Sequence, residues 1–183
     1  MNNFEHITFV SGNKTKVKEI QHLMPGIKIL DIDLPEIQEL DSTKIITAKL
    51  KAALEHTQGP IIVDDTSLYL DCFKGQLPGP LIKWFLNTVK NTGLVELTHT
   101  LGSSGAQAKT VIGYAKDRDS IAFFEGSFTG SIVPPQGTHG FGWDHVFMPD
   151  GHTTTLACMD TEAKNAISMR GQAIATLKEY LKQ

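Results

Sequence analysis

Cysteine is scarce, with only Cys72 and Cys158 among 183 residues, and neither has a second cysteine or a histidine at zinc-ligand spacing. That excludes a disulfide framework and a zinc site and leaves two reduced thiols. The seven histidines form no HxxxH or HxH pair. No apolar run approaches the roughly 18 residues needed to span a bilayer, and Met1 to His6 lacks the basic stretch and apolar region of a secretory signal. A cytoplasmic protein without a membrane partner is expected. Positive charge is not in excess either. A formal net charge of −3 argues against a general nucleic-acid binder, which needs a basic surface to displace counterions. Any phosphate site must therefore be a local cluster of cations.

What is present is ordinary for a folded protein: 40% hydrophobic and 20% charged residues, with no internal repeat and no dividing linker. Residues 1–183 are expected to form a single domain, burying roughly two thirds of the surface exposed on unfolding. Ile7 to Val10 reads as a strand running through Ser11-Gly12-Asn13 into a helix, on which Val17, Ile20 and Leu23/Met24 recur at helical spacing. A second short strand fits Lys28 to Ile32. After the Leu34-Pro35-Glu36 break, Asp41 or Ser42 can cap a helix through about His56. Pro60 to Val63 is a brief strand that places Asp64 and Asp65 at its C-terminal end, the edge at which open α/β sheets bind ligands. Helices are expected over Leu81–Val89 and Gly93–Leu101. Thr110–Ala115 and Ile121–Phe128 read as a hairpin that Gly130 to Val133 can continue. The last helix is expected to run unbroken from Asp160 or Thr161 to Tyr180, with Ala163, Ala166, Ile167, Ile174, Leu177 and Leu181 as its stripe.

Four separated segments carry residues with chemistry. The first, Ser11-Gly12-Asn13-Lys14-Thr15-Lys16, matches neither GxGxxG nor GxxxxGKT. It nevertheless opens a helix whose free N–H groups suit an anion, with Lys14 and Lys16 beside it; the alternative is an Asn cap followed by solvated lysines. Lys49 lies within the apolar stripe of its helix, and Arg170 repeats the pattern, so each must snorkel or meet an anion. The second segment, Asp64-Asp65-Thr66-Ser67, carries two acids that point to opposite faces of an extended strand. Glu36, Glu39 and Asp41 add carboxylates from a loop. A hard cation such as Mg²⁺ takes one or two carboxylates plus phosphate oxygens, and a second acid can orient water; the acids can equally be solvated caps. In the third segment, Gly140-Phe141-Gly142-Trp143-Asp144, either ring can stack on a planar base or pack into the core. The fourth, Lys164 to Arg170, brings Lys164, Ser168, Met169 and Arg170; Asp144 and Arg170 can read a base edge.

The strings SGNKTK, LPEIQE, VDDTSL, LPGPLIKWF, FGWDHVFMPDG and EAKNAISMR resemble, in this order, the Ham1-type inosine/xanthosine triphosphate pyrophosphatases from Ser11 to Arg170. The resemblance implies an elongated, two-lobed α/β fold around a central mixed sheet flanked by helices, with the active-site cleft between the lobes, and usually a homodimer. It implies Mg²⁺-dependent hydrolysis of a noncanonical purine nucleoside triphosphate to the monophosphate and pyrophosphate. Asn13, Lys16 and Lys49 would contact the triphosphate, and Glu36 and Asp65 would bind metal and activate water, with Asp65 as general base. Lys83 and Trp84 fall on a segment near the site, Phe141, Trp143 and Asp144 on the base-binding loop, and Lys164, Ser168 and Arg170 on the closing helix.

Two residues depart from that pattern. Asp64 stands where the family has Glu, one carbon shorter beside the expected base. Met169 stands where the family has a His able to donate to the 6-oxo group of hypoxanthine or xanthine; a thioether is only a weak acceptor. Discrimination against a 6-amino base should weaken, by on the order of 1 to 3 kcal/mol for one buried hydrogen bond. Rival assignments are a pyrophosphatase for another base, resembling the Maf-type hydrolases, and a nucleotide-binding protein that has lost turnover.

Overall fold

Alternation along the strands sets the architecture. In the computed structural model, which describes residues 4–183, β1 (Thr8–Val10) and β3 (Ile61–Leu70) send successive side chains to opposite faces, and each face is covered by different helices. Phe9 and Ile62 pack with Ile20 of α1 (Lys14–Leu23), with Met24 just after it, and with Ala173, Ile174 and Leu177 of α6 (Met169–Tyr180). Val10, Ile61 and Val63 pack instead with Ile46, Leu50 and Ala53 of α2 (Ser42–Ala53). Asp64 follows Ile62 onto the first face, and Asp65 follows Val63 onto the second.

Among the described residues the strands form one mixed seven-stranded sheet in the order β2-β1-β3-β5-β6-β7, with β4 paired to β3 off that path. β1 runs parallel to β2 (Lys28–Leu30) and to β3. β4 (Pro78–Gly79) is antiparallel to β3, and β7 (Phe147–Pro149) is antiparallel to β6 (Ile121–Ile132). β5 spans Gly105–Ala115. The remaining helices are α3 (Ile82–Thr88), α4 (Lys90–Thr100) and α5 (Thr161–Ile167).

The chain divides into two compact units. Among the described residues, the first holds 4–65, 110–126 and 170–183; the second holds 66–109 and 127–169. In the first unit, helices pack on both faces of the strands as described above. The second has its own core, built from Leu68, Leu70, Ile82, Leu94, Ala108, Ile132 and Phe147.

Gly113 shows how closely α2 sits on the sheet in the first unit. A Cβ built there would fall inside van der Waals contact with Ile46 Cγ2 and 3.0 Å from Leu50 Cδ1. Gly113→Val should therefore cost about 1–3 kcal/mol through overpacking, which thermal unfolding would read as a melting point lower by several degrees, at about 2–4 °C per kcal/mol for a chain of this size. An unchanged melting point would mean that α2 is free to move off the sheet.

Four expectations are corrected. Asp64 and Asp65 lie in the middle of β3, which continues to Leu70, because flanking cations neutralise each carboxylate and the strand need not end there. The C-terminal helix is two: Ser168 is extended (φ −65°, ψ 148°) and separates α5 from α6. A one-residue break leaves no mark on apolar periodicity. On α5, moreover, Ala163 and Ala166 are exposed while Lys164 and Asn165 are buried, since Lys164 gains an ion pair and a methyl side chain has little area to bury. The hairpin strands β5 and β6 both extend beyond their expected ends.

Candidate active site

The first unit gathers charged groups on both faces of β3. On the α1/α6 face, Asp64 Oδ1 accepts from Lys16 Nζ at 3.0 Å, and Asp64 Oδ2 accepts from Arg170 Nε at 3.1 Å and Nη2 at 2.9 Å. Arg170 Nη1 donates to Glu19 of α1. All of Asp64, Arg170 and Glu19 are buried, Arg170 to 2% exposure. Burial alone would raise the Asp64 pKa, yet Lys16, Arg170 and Lys49 outweigh it and hold this carboxyl far below the usual range. Burial likewise opposes the Arg170 charge, but Asp64 and Glu19 hold it more firmly protonated than usual.

On the opposite face, Lys49 Nζ lies 2.9 Å from Asp65 Oδ1, 2.9 Å from Glu36 Oε1 and 3.2 Å from the Asp64 carbonyl oxygen. Burial works against the ammonium, but the attraction of Asp65, Glu36 and Asp64 exceeds it and raises its pKa. The Asp65 pKa is raised as well: burial pushes it above an ordinary aspartate, with Asp64 adding to the rise and Lys49 and Lys16 resisting it. Asp65 Oδ2 is buried without a hydrogen-bond partner, the condition of a carboxylate oxygen left for a proton or a metal ion. Among the described residues no group of three or more His, Cys, Asp or Glu could hold a metal by itself. The two carboxylates Glu36 and Asp65 suit instead an ion that completes its shell with substrate oxygens and water.

The turn after β1 has a definite role in the fold. Asn13 caps α1, its Oδ1 accepting from Thr15 N at 3.0 Å and Lys16 N at 3.1 Å, and Ser11 Oγ accepts from Asn13 N at 3.2 Å. A Cβ at Gly12 would overlap the exposed Asp33 carboxylate, which would have to swing aside. Lys14 pairs with Asp31 at the surface. The capping alternative thus holds for Asn13, whereas Lys16 is no solvated lysine.

In the second unit, Lys164 Nζ donates to Asp144 Oδ2 at 2.7 Å and sits 5.0 Å from the centre of the Phe141 ring. Asp144 Oδ2 also accepts from Phe141 N at 2.8 Å. Gly140 and Gly142 adopt positive φ (80° and 61°), which sets the path of this loop. Trp143 is 8% exposed and belongs to the core of this unit, as does Met169; the indole therefore packs, leaving Phe141 as the half-buried ring. The Trp143 Nε1 and Asn165 Nδ2 donors are buried without partners. Thr66 and Ser67 continue β3, Ser168 is buried between α5 and α6, and Lys83 is exposed on α3 beside Trp84, itself 55% exposed.

The expected site residues therefore fall into two groups. Lys16, Glu36, Lys49, Asp65 and Arg170 share the first unit with Ser11, Gly12 and Asn13; Lys83, Phe141, Gly142, Trp143, Asp144, Lys164, Ser168 and Met169 share the second with Thr66 and Ser67. Arg170, expected to read a base edge, directs its guanidinium to Asp64 and Glu19 instead. Glu19 was not foreseen from the sequence. Its signal was available: it lies three residues after Lys16, on the same side of α1.

A mixed sheet with charge-paired acids in its central strand and a glycine-rich aromatic loop defines an α/β protein of the type found in nucleotide-hydrolysing enzymes. Residues 7–180 match the model of the Ham1 family, and the chain belongs to that family. It is 40% identical over 181 residues to the inosine triphosphate pyrophosphatase of Schizosaccharomyces pombe, covering 97% of this chain and 95% of that protein. It is 41% identical over 190 residues to the enzyme of the same name from Saccharomyces cerevisiae, covering 97% and 96%. A solved structure of a HAM1 protein from Coxiella burnetii superposes with a TM-score of 0.81 at 27% identity, over 96% of this chain and 98% of that one.

Proposed function

We propose that this protein hydrolyses noncanonical purine nucleoside triphosphates, those of inosine, deoxyinosine and xanthosine, to the monophosphate and pyrophosphate, so removing them from the nucleotide pool. The observation that carries this proposal is Asp65: one oxygen is fixed by Lys49 and the other is buried with no partner. Burial raises its proton affinity, which suits a base that must take a proton from water. Similarity to inosine triphosphate pyrophosphatases over 97% of the chain supports the substrate class.

In this scheme, Lys16 and Lys49 neutralise the triphosphate and Glu36 and Asp65 would hold Mg²⁺. When bound, that ion supplies charge neutralisation of the phosphate oxygens. The water oxygen forms a bond to the α-phosphorus as the bond from that phosphorus to the bridging oxygen breaks. Pyrophosphate leaves with the bridging oxygen and its electrons, and Asp65 takes the water proton. Phe141, Gly142, Asp144, Lys164 and Ser168 belong to recognition of the nucleoside, and residues 1–183 act as one domain within a cytoplasmic homodimer.

A second possibility, relaxed base selectivity, draws on Met169, which lies within apolar packing and offers no strong donor to a 6-oxo group. Incubation with a panel of triphosphates and Mg²⁺ tests both. Pyrophosphate is the expected product, whereas orthophosphate would mean a different reaction. Met169→His should raise the preference for inosine over adenosine triphosphate by about tenfold, the equivalent of one buried hydrogen bond. A flat ratio removes position 169 from base reading.

A further inference from the structure

We infer that Asn91 is a positioning residue for the Phe141 loop and so governs affinity for the nucleoside part of the substrate, an inference that rests on the function proposed above. Asn91 stands at the second residue of α4, and its Nδ2 donates to the Gly142 carbonyl oxygen at 3.0 Å across 51 residues of sequence. Gly142 follows Phe141 directly. The loop tip has few internal constraints, because Gly140 and Gly142 both take positive φ and glycine pays the largest entropy for being fixed. Polar ties at this tip include the Asp144 carboxylate on Phe141 N, the turn bond from Asp144 N to the Phe141 carbonyl oxygen, and the Asn91 amide on the Gly142 carbonyl oxygen.

Two features set Asn91 apart from an incidental surface contact. Its Oδ1 is buried without a partner, an arrangement that costs free energy. Lys90 before it is held at φ 62°, a left-handed conformation uncommon outside glycine. Strain and an orphan acceptor are thus both retained where α4 grips the loop. Removing the amide should free the tip while leaving the apolar core of this unit in place.

The test uses equilibrium binding to the full chain in an Asp65→Asn background, where the nucleotide is not consumed, with inosine triphosphate and inorganic tripolyphosphate as the two probes. Asn91→Leu should weaken inosine triphosphate about three- to tenfold, the range for one lost anchoring hydrogen bond. Tripolyphosphate, which has no nucleoside, should bind as before. Asn91→Asp keeps the shape but sets a carboxylate against the carbonyl, and should weaken the nucleotide at least as much. Lys90→Gly, which relieves the backbone without touching the amide, should leave both affinities unchanged. Equal loss for both probes would indicate general damage, and unchanged nucleotide affinity in both Asn91 variants would show that the loop needs no anchor; either result overturns the inference alone. If the parent chain binds tripolyphosphate but gains nothing from the nucleoside, the proposed function itself fails and this inference with it.

Discussion

Asp65→Asn should abolish pyrophosphate release, lowering kcat by at least about a thousandfold, within the range that general-base catalysis contributes, while nucleotide binding changes little. The carboxamide is isosteric and can still accept from Lys49 through its oxygen, so the local packing survives. What it cannot do is take a proton from water. Single-turnover assays beside equilibrium binding separate the two effects, and a variant that retains full turnover would remove Asp65 from the chemistry. Asp64→Asn is the informative contrast: its carboxylate is already occupied by Lys16 and Arg170, so stability should suffer more than turnover.

Arg170→Leu should be strongly destabilising, at about 3–5 kcal/mol, because it leaves Asp64 and Glu19 as buried charges without their shared guanidinium. For a chain of this length that corresponds to a melting point lower by roughly 10 °C at neutral pH. The pH dependence follows from Asp64. Its folded pKa lies below the unfolded value of 3.8, so its contribution to stability is complete above about pH 4 and fades as the pH falls toward the folded value. The gap in melting point between wild type and Arg170→Leu should accordingly be constant near neutrality and narrow on strong acidification. A gap that widened in acid would mean that Arg170 acts through something other than carboxylate pairing.

Much of this organisation was legible because it is local. The capped start of α1 at Asn13, the cap of α2 at Asp41, the hairpin and the burial of Lys49 and Arg170 all follow from spacing over one or two turns. Opposite faces for Asp64 and Asp65 followed from strand alternation, since residues one apart must face apart. Legibility ended where long-range packing decides. Trp143 looked like a base platform because aromatics on a glycine-rich loop suggest exposure, but the second unit folds this indole into its core. The break at Ser168 escaped because α5 and α6 both present helical periodicity on either side of one extended residue.

The order of residues determined the inventory: which side chains are charged, which strands alternate, and which motifs place the chain in the Ham1 family. Only the tertiary structure decided the pairing. Arg170 meets Asp64 across 106 positions, and Asn91 reaches Gly142 across 51. Such partners are chosen by the packing of whole elements, and no window of local sequence contains both.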